Sequence, residues 1–314
     1  MKVLVTGGRG FLGARLVTHL VAAGEDVRII DNGSRGTAEL PPEVEPLDGD
    51  VRDADAVRAA CRGVEAVAHL AAVQGTRNFY EIPDVVLDVN LRGALNVAQA
   101  CADEGVQRLV FSSSSEVYGI PTEFPTPESA PLVVPDPTNP RWSYGASKIA
   151  GELVVVHTAR RYGFEYVVLR YHNVYGPAMG SDHVVPQFIS RLIHGEEFTV
   201  QGDGSQRRTF CYVDDVVAPT ATALTAAEAA NGTFNIGNPA EEHSIDQLVA
   251  TLERVSGRRI RPRYVPFEQA GTDRRLPDVS RAERVLGLRP NVTLEVGLRR
   301  TYEWYAPRLA ETIS

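Results

Sequence analysis

Short apolar runs alternate with amphipathic stretches along the first half of the chain. Lys2–Thr6, Val27–Ile30, Val44–Leu47, Ala66–Leu70, Arg108–Ser112 and Tyr166–Arg170 have the length and content of buried strands. Between them, helices are predicted from the spacing of Leu16, Leu20 and Val21 (ending near Gly24), over Ala54–Arg62 and Val85–Ala102, and over residues 142–162. Strand and helix in regular alternation predict an α/β chain with a doubly wound parallel sheet. Beyond about residue 175 the pattern loosens. Pro186–His194 is helical, Phe198–Val200 is a short strand, and Gly202–Arg208 is a basic, turn-rich loop. Val213–Ala229 reads as helix, Phe234–Ile236 as strand, and Ile245–Ser256 and Leu294–Ala306 as helices. The expectation is a first domain over 1–175, rejoined by a segment near 209–237, and a smaller, interwoven substrate-binding domain over 176–314. Residues 120–141, rich in proline, are expected to form a shaped loop over the carboxyl edge of the sheet.

Composition narrows the partners. Apolar residues make up 43% of the 314, enough for a sizeable core. Thirty-two Lys and Arg against 40 Asp and Glu leave a net charge of −8, which argues against a nucleic-acid or anionic-membrane surface. Cys61, Cys101 and Cys211 are odd in number and widely spaced, so they read as reduced thiols of a cytoplasmic protein and not as a disulfide frame or metal site. The apolar start lacks the long core of a signal peptide, and no membrane span is visible.

Gly7, Gly10 and Gly13 directly follow the first strand and open the first helix. Glycines there permit a tight turn and the close approach of a pyrophosphate to free helix N–H groups. Asp31, 18 residues after Gly13 at the end of the second strand, suits a ribose diol and repels a 2′-phosphate, so NAD is expected over NADP; Arg9 and Arg35 leave NADP an opening. Asp50, in Gly49-Asp-Val-Arg-Asp53, is placed to accept from an adenine amino group, with Asp53 as a helix cap. His69-Leu-Ala-Ala72 ends the fourth strand in small residues that offer the cofactor a smooth wall, His69 itself being structural.

Tyr144 and Lys148 stand four apart, on one face of the predicted helix. An ammonium beside a phenol favours the phenolate and so brings the tyrosine toward the range of a general base. Upstream, Ser112–Ser115 and Glu116 follow the fifth strand, at the edge where open sheets hold ligands. One hydroxyl would hold a substrate alcohol, Tyr144 would take its proton, and a hydride would leave the same carbon.

These residues resemble the extended short-chain dehydrogenase/reductase family, and within it the NAD-dependent nucleotide-sugar epimerases and dehydratases. The likeness runs from Thr6–Gly13 through Asn90, Ser112–Gly119, Tyr144–Lys148 and Arg170–Pro177 to Tyr212–Asp215, Asn235–Gly237 and Arg274–Asp278. It implies a Rossmann domain with NAD held by Gly7, Gly10, Phe11, Leu12, Gly13, Asp31, Asn32, Asp50, Val51, Leu70, Ala71, Ala72, Asn90, Ser112, Tyr144, Lys148, Tyr171 and Val174. It further implies Ser114, Tyr144 and Lys148 as catalytic residues. Ser114, Ser115 and Asn173 would contact a nucleotide-diphosphate sugar, whose phosphates Arg208 and Arg274 or Arg275 would clamp. No metal is implied, and a homodimer is, through the helices near 85–102 and 143–162. The expected reaction is 4-epimerisation through a transient 4-keto sugar, because this needs only Ser114, Tyr144 and Lys148. Glu116 departs from the simple epimerase pattern and supports an alternative, decarboxylation or dehydration with Glu116 acting at C5. The stretch Pro131–Trp142 leans toward the decarboxylases, whereas Arg170–Pro177 leans toward the epimerases. His172 and His183 lie near the inferred pocket. A non-catalytic NAD-sensing protein is the reading from another class; it has no use for Ser114, Tyr144 and Lys148 together.

Overall fold

The computed structural model describes residues 1–36, 38–266 and 271–311. The first half runs β1 (Lys2–Thr6), α1 (Phe11–Ala22), β2 (Asp26–Asp31), β3 (Glu45–Asp48), α2 (Ala54–Cys61), β4 (Ala66–His69), α3 (Thr76–Glu81), α4 (Pro83–Leu87), α5 (Gly93–Glu104), β5 (Arg108–Ser114), α6 (Ser143–Tyr162) and β6 (Glu165–Tyr171). The second half runs β7 (Val174–Tyr175), α7 (Val184–His194), β8 (Thr199–Gln201), β9 (Arg207–Thr209), β10 (Cys211–Tyr212), α8 (Asp214–Thr225), β11 (Gly232–Ile236), β12 (Glu242–Ser244), α9 (Ile245–Ser256), β13 (Arg263–Val265), β14 (Arg274–Arg275), α10 (Ser280–Val285) and α11 (Leu294–Glu311).

Seven strands form one sheet in the order β11-β6-β5-β4-β1-β2-β3, and every neighbouring pair is parallel. The period-2 geometry of a strand sorts its apolar residues between two layers. Val3, Val5 and Val110 pack with Leu16, Val17, Val216 and Leu224 of α1 and α8. Leu4, Leu109 and Phe111 face the other way, onto Val57, Val97, Ala98 and Val155 of α2, α5 and α6. The fold is therefore the doubly wound sheet expected, with the order of strand addition reversing between β1 and β4, where a crevice opens at the carboxyl ends. A third apolar cluster lies outside the sheet and joins Phe188, Ile189, Leu248, Leu252, Leu294 and Leu298 of α7, α9 and α11.

Two local departures matter for the site. The long helix expected over Val85–Ala102 is interrupted by a π-helical turn at Asp88–Arg92, and the short α3 precedes it in what reads as loop. The π turn carries Asn90, whose side chain accepts from Val73 N (2.8 Å) and donates to Val73 O (3.1 Å) and Ser147 Oγ (3.1 Å). Second, the basic loop expected at Gly202–Arg208 ends in a strand: β9 pairs with β12 and with β14, setting Arg208 opposite Arg275.

Candidate active site

The turn after β1 is built for an anion. α1 starts at Phe11 without a side-chain cap and without an acid in its first turn, so its leading N–H groups face outward uncompensated. A Cβ on Gly13 would stand 2.1 Å from the Gly7 carbonyl oxygen, so only glycine lets helix and turn approach this closely. Asp31 ends β2 with its carboxylate fixed by Arg9 N (2.9 Å) and Gly33 N (2.8 Å), and lone pairs remain for two hydroxyls. The Thr6 hydroxyl accepts from Leu70 N (3.2 Å) and Ala71 N (3.1 Å), which leaves its proton for His69 Nδ1 at 2.7 Å. Burial, aided by the Lys148 charge, lowers the His69 pKa to about 3, so the ring is a neutral structural tie.

The cleft these residues enter is about 1950 Å³. It is lined by Gly7, Gly10, Phe11, Leu12, Gly13, Asp31, Asn32, Val51, Leu70, Ala71, Ala72, Ser112, Ser114, Ser115, Glu116, Tyr144, Lys148, Tyr171, Asn173, Val174 and Arg208. Four expected contacts lie elsewhere. Asp50 is occupied by Arg52 (2.9 Å) and Asn32 (2.9 Å), which hold its carboxyl well below the usual range. Asn90 stands behind the wall and braces Val73. Arg274 pairs with Glu242 at 2.6 Å, and Arg275 is buried against Glu116. Each of Arg274 and Arg275 thus already has a carboxylate partner. Arg208 does line the cleft and donates to Thr272 O at 2.6 Å. Asn173 holds φ +40°, and its Nδ2 is buried without a hydrogen-bond partner among the described residues.

Across the crevice, three successive β5 residues meet α6. Lys148 Nζ donates to Ser112 O at 2.7 Å, Ser113 Oγ donates to Glu152 Oε1 at 2.5 Å, and the Ser114 hydroxyl lies near enough to the Tyr144 phenol to favour its ionisation. The Tyr144 ring stacks on Phe79 of α3, with centroids 5.0 Å apart. The expectation that Lys148 brings the phenol down is not met in this state. Burial and the Glu116 charge raise the Tyr144 pKa above its usual value, against the lowering effects of Ser114 and Arg35. The reason is geometric: the ammonium is turned to the Ser112 carbonyl and lies 5.7 Å from the phenol ring centroid, over its face. Burial in turn lowers Lys148 to about 8, opposed by Glu152.

Glu116 is no exposed loop carboxylate. It pairs with Arg141 at 2.9 Å and Arg275 at 3.1 Å. Burial alone would raise its pKa; Arg275 and Arg141, with Arg208 beyond them, outweigh that and hold it at about 2. The same crowding of cations, after burial, lowers Arg208 to about 10.

The chain matches, over residues 3–237, the model of the NAD dependent epimerase/dehydratase family. It belongs to that family. Over 308 residues it is 34% identical to a putative UDP-glucose 4-epimerase of Methanocaldococcus jannaschii, covering 96% of this chain and 97% of that one. It is 31% identical over 318 residues to the UDP-N-acetyl-alpha-D-glucosaminuronate decarboxylase of Bacillus cytotoxicus, covering 97% of each. Its fold superposes on the UDP-glucose 4-epimerase of Thermotoga maritima, solved with UDP-glucose, with a TM-score of 0.90 and 33% identity, covering 98% of this chain and 100% of that one. The uncapped α1 terminus, the Gly7–Gly13 cradle and the prefixed Asp31 fit the NAD that this epimerase/dehydratase family uses. Phe79, Tyr80 and Arg141 also line the cleft and carried no individual expectation. Arg141 lies in the Asn139-Pro-Arg-Trp142 stretch that resembles the decarboxylases, so a signal for it existed; α3 gave none. Among the described residues no helix is long and apolar enough to cross a membrane.

Proposed function

We propose that this enzyme oxidises C4 of a UDP-linked sugar, with Tyr144 as the base, Ser114 holding the C4 hydroxyl and Lys148 orienting phenol and ribose. The observation that carries the reading is the Ser114–Tyr144 contact beside Lys148, on the same crevice as the phosphate turn. NAD, when bound, supplies the hydride acceptor. The Tyr144 proton load, raised by burial and by Glu116, is the reason the site needs cationic help before proton transfer. The diphosphate would meet Arg208 and Asn173, and residues 176–314 form most of the substrate side, with 209–237 returning to the sheet.

Net 4-epimerisation is the leading outcome. A carboxylate with a pKa of about 2 is a weak base, so Glu116 is poorly suited to remove a C5 proton, and dehydration is disfavoured. One observation favours decarboxylation as the second reading. Arg141, Arg275 and Arg208 surround the single carboxylate of Glu116, and this positive surplus suits a sugar that carries its own carboxylate. Loss of carbon dioxide from a 4-keto uronate needs no C5 base. The test is product analysis by liquid chromatography and mass spectrometry on UDP-glucose, UDP-N-acetylglucosamine and UDP-glucuronate. A 4-epimer supports the first reading and a pentose product the second; no product from any UDP-sugar, with NAD bound, sinks both.

We further propose a cytoplasmic homodimer. Leu95 of α5 and Leu153 of α6 are 48% and 56% exposed on adjacent helices, which supports a paired four-helix face. The three cysteines are free and buried, as in a reducing compartment. Light scattering at the monomer mass would remove the dimer.

A further inference from the structure

Tyr144, Lys148 and Glu152 lie at successive four-residue steps of α6, and each engages one residue of Ser112–Ser114. The third step has no part in the chemistry above. Glu152 is buried and gripped by the guanidinium of Arg170, with Nε to Oε1 at 2.9 Å and Nη2 to Oε2 at 2.7 Å; both side chains are under a tenth exposed. Arg170 stands opposite Ser113 in the β5–β6 register. Its other nitrogen donates to Tyr118 OH (2.9 Å) and Glu128 O (2.9 Å), and Tyr118 donates onward to Asn235 Oδ1 at 2.8 Å. The carboxylate is thus locked from behind, one turn from an ammonium whose hydrogen-bond acceptor among the described residues is a neutral carbonyl.

We propose that Glu152 is a positioning residue for the reaction: its fixed charge keeps Lys148 protonated inside the buried site, while its bond to Ser113 holds β5 in register with Tyr144 and Lys148. This rests on the role given to Lys148 above. The titratable groups facing Lys148 are Tyr144 and Glu152 on its own helix and the neutral His69 on β4; the Phe111 ring of β5 lies 5.1 Å from it. Glu152 is therefore the one anion among them, and its charge is what opposes the lowering of Lys148 by burial. A unit charge one helical turn away, at an effective dielectric of about 20, acts on the order of one to two pH units. Arg170 offsets part of that.

The chain makes the test direct, because it contains two lysines, Lys2 and Lys148. With Lys2→Arg as background and [13Cε]lysine labelling, Lys148 is the single NMR resonance to titrate in the NAD-loaded protein. The expected midpoint near 8 should fall by roughly one pH unit in Glu152→Gln and stay in place in Arg170→Lys, which retains the charge pair. The alkaline limb of kcat should move with it, cutting turnover near pH 8 roughly fivefold and leaving it nearly level below about pH 6. An unchanged midpoint in Glu152→Gln, or an equal shift in Arg170→Lys, overturns the proposal. If Glu152→Gln does not fold, Glu152→Gln/Arg170→Met removes the stranded cation, and an unchanged midpoint there is equally decisive. A midpoint that shifts without the kcat limb would instead refute the role of Lys148, since the titration needs no turnover.

Discussion

Replacing Glu116 with glutamine should destabilise the protein by an amount the structure lets us work out twice. The carboxylate neutralises Arg141 (2.9 Å) and Arg275 (3.1 Å), whose side chains are 12% and 3% exposed. Stranding buried charges by removing one partner costs about 3–5 kcal/mol. Linkage gives an independent figure. Glu116 falls from an ordinary 4.5 to about 2 in the fold, and at 1.36 kcal/mol per decade this is about 3 kcal/mol. With an unfolding entropy near 2.1 cal/mol/K per residue, a chain of 314 residues should lose roughly 5–8 °C in Tm near neutral pH. The sign of the pH dependence follows. Because the folded pKa is depressed, the stabilisation is present in full above about 4.5 and disappears as pH falls toward about 2. The wild-type and Glu116→Gln melting curves should therefore converge on acidification. Removing the negative charge should also ease Tyr144 ionisation, moving the acid limb of kcat downward. Calorimetric scans of both proteins across that window are the assay. Equal Tm values near pH 7, or a gap that widens in acid, would refute the claim that Glu116 is a fixed anion.

Tyr144→Phe should lower kcat by about 10²–10⁴-fold while the purified protein still carries its cofactor; retained turnover would remove Tyr144 as the base. Lys148→Met should abolish turnover and yet raise stability near pH 7 by up to about 3 kcal/mol, because the native ammonium is held at about 8 against an ordinary 10.5. That benefit should fade between about pH 8 and 10.5, where the buried amine of the wild type is already neutral, and chemical denaturation on either side of the window measures it. Gly13→Ala places a methyl 2.1 Å from the Gly7 carbonyl and should yield protein without bound NAD, read by absorbance after denaturing extraction; full NAD occupancy would contradict the cradle geometry.

Much of this was legible because buried parallel strands are continuous apolar runs. β1 and β2 are marked by Val3–Val5 and Val27–Ile30 without reference to anything distant in the chain. The glycine turn and Asp31 are likewise local. What failed was long-range or depended on direction. The interruption at Asp88–Arg92 adds a residue to a turn without disturbing the apolar spacing, so Val85–Ala102 reads as one helix. The four-residue step from Tyr144 to Lys148 puts both on one face, but nothing in the spacing says that Ser112 O takes the ammonium. Burial is a property of the folded cleft, and with the Glu116 charge it raises the phenol pKa, against the lowering effects of Ser114 and Arg35.

Arg274 and Arg275 make the same point about charge. Side by side in sequence, they look interchangeable as phosphate ligands. On β14 they are successive residues of a strand and face opposite ways, Arg274 to Glu242 and Arg275 to Glu116. Each partner lies on an element far away in sequence. Once Arg275 is committed to Glu116, that carboxylate is held as an anion and is a poor proton carrier. In the reading proposed above, the acid that distinguishes this serine loop from the simple epimerase pattern would act through charge: it neutralises part of an arginine cluster and would leave a positive remainder for the substrate. With Arg208 given to the diphosphate, a sugar carboxylate would complete what Arg141 and Arg275 leave over. Relative rates on UDP-glucose and UDP-glucuronate in the wild type, and the loss of any such preference in Arg141→Met, decide whether the surplus selects the substrate.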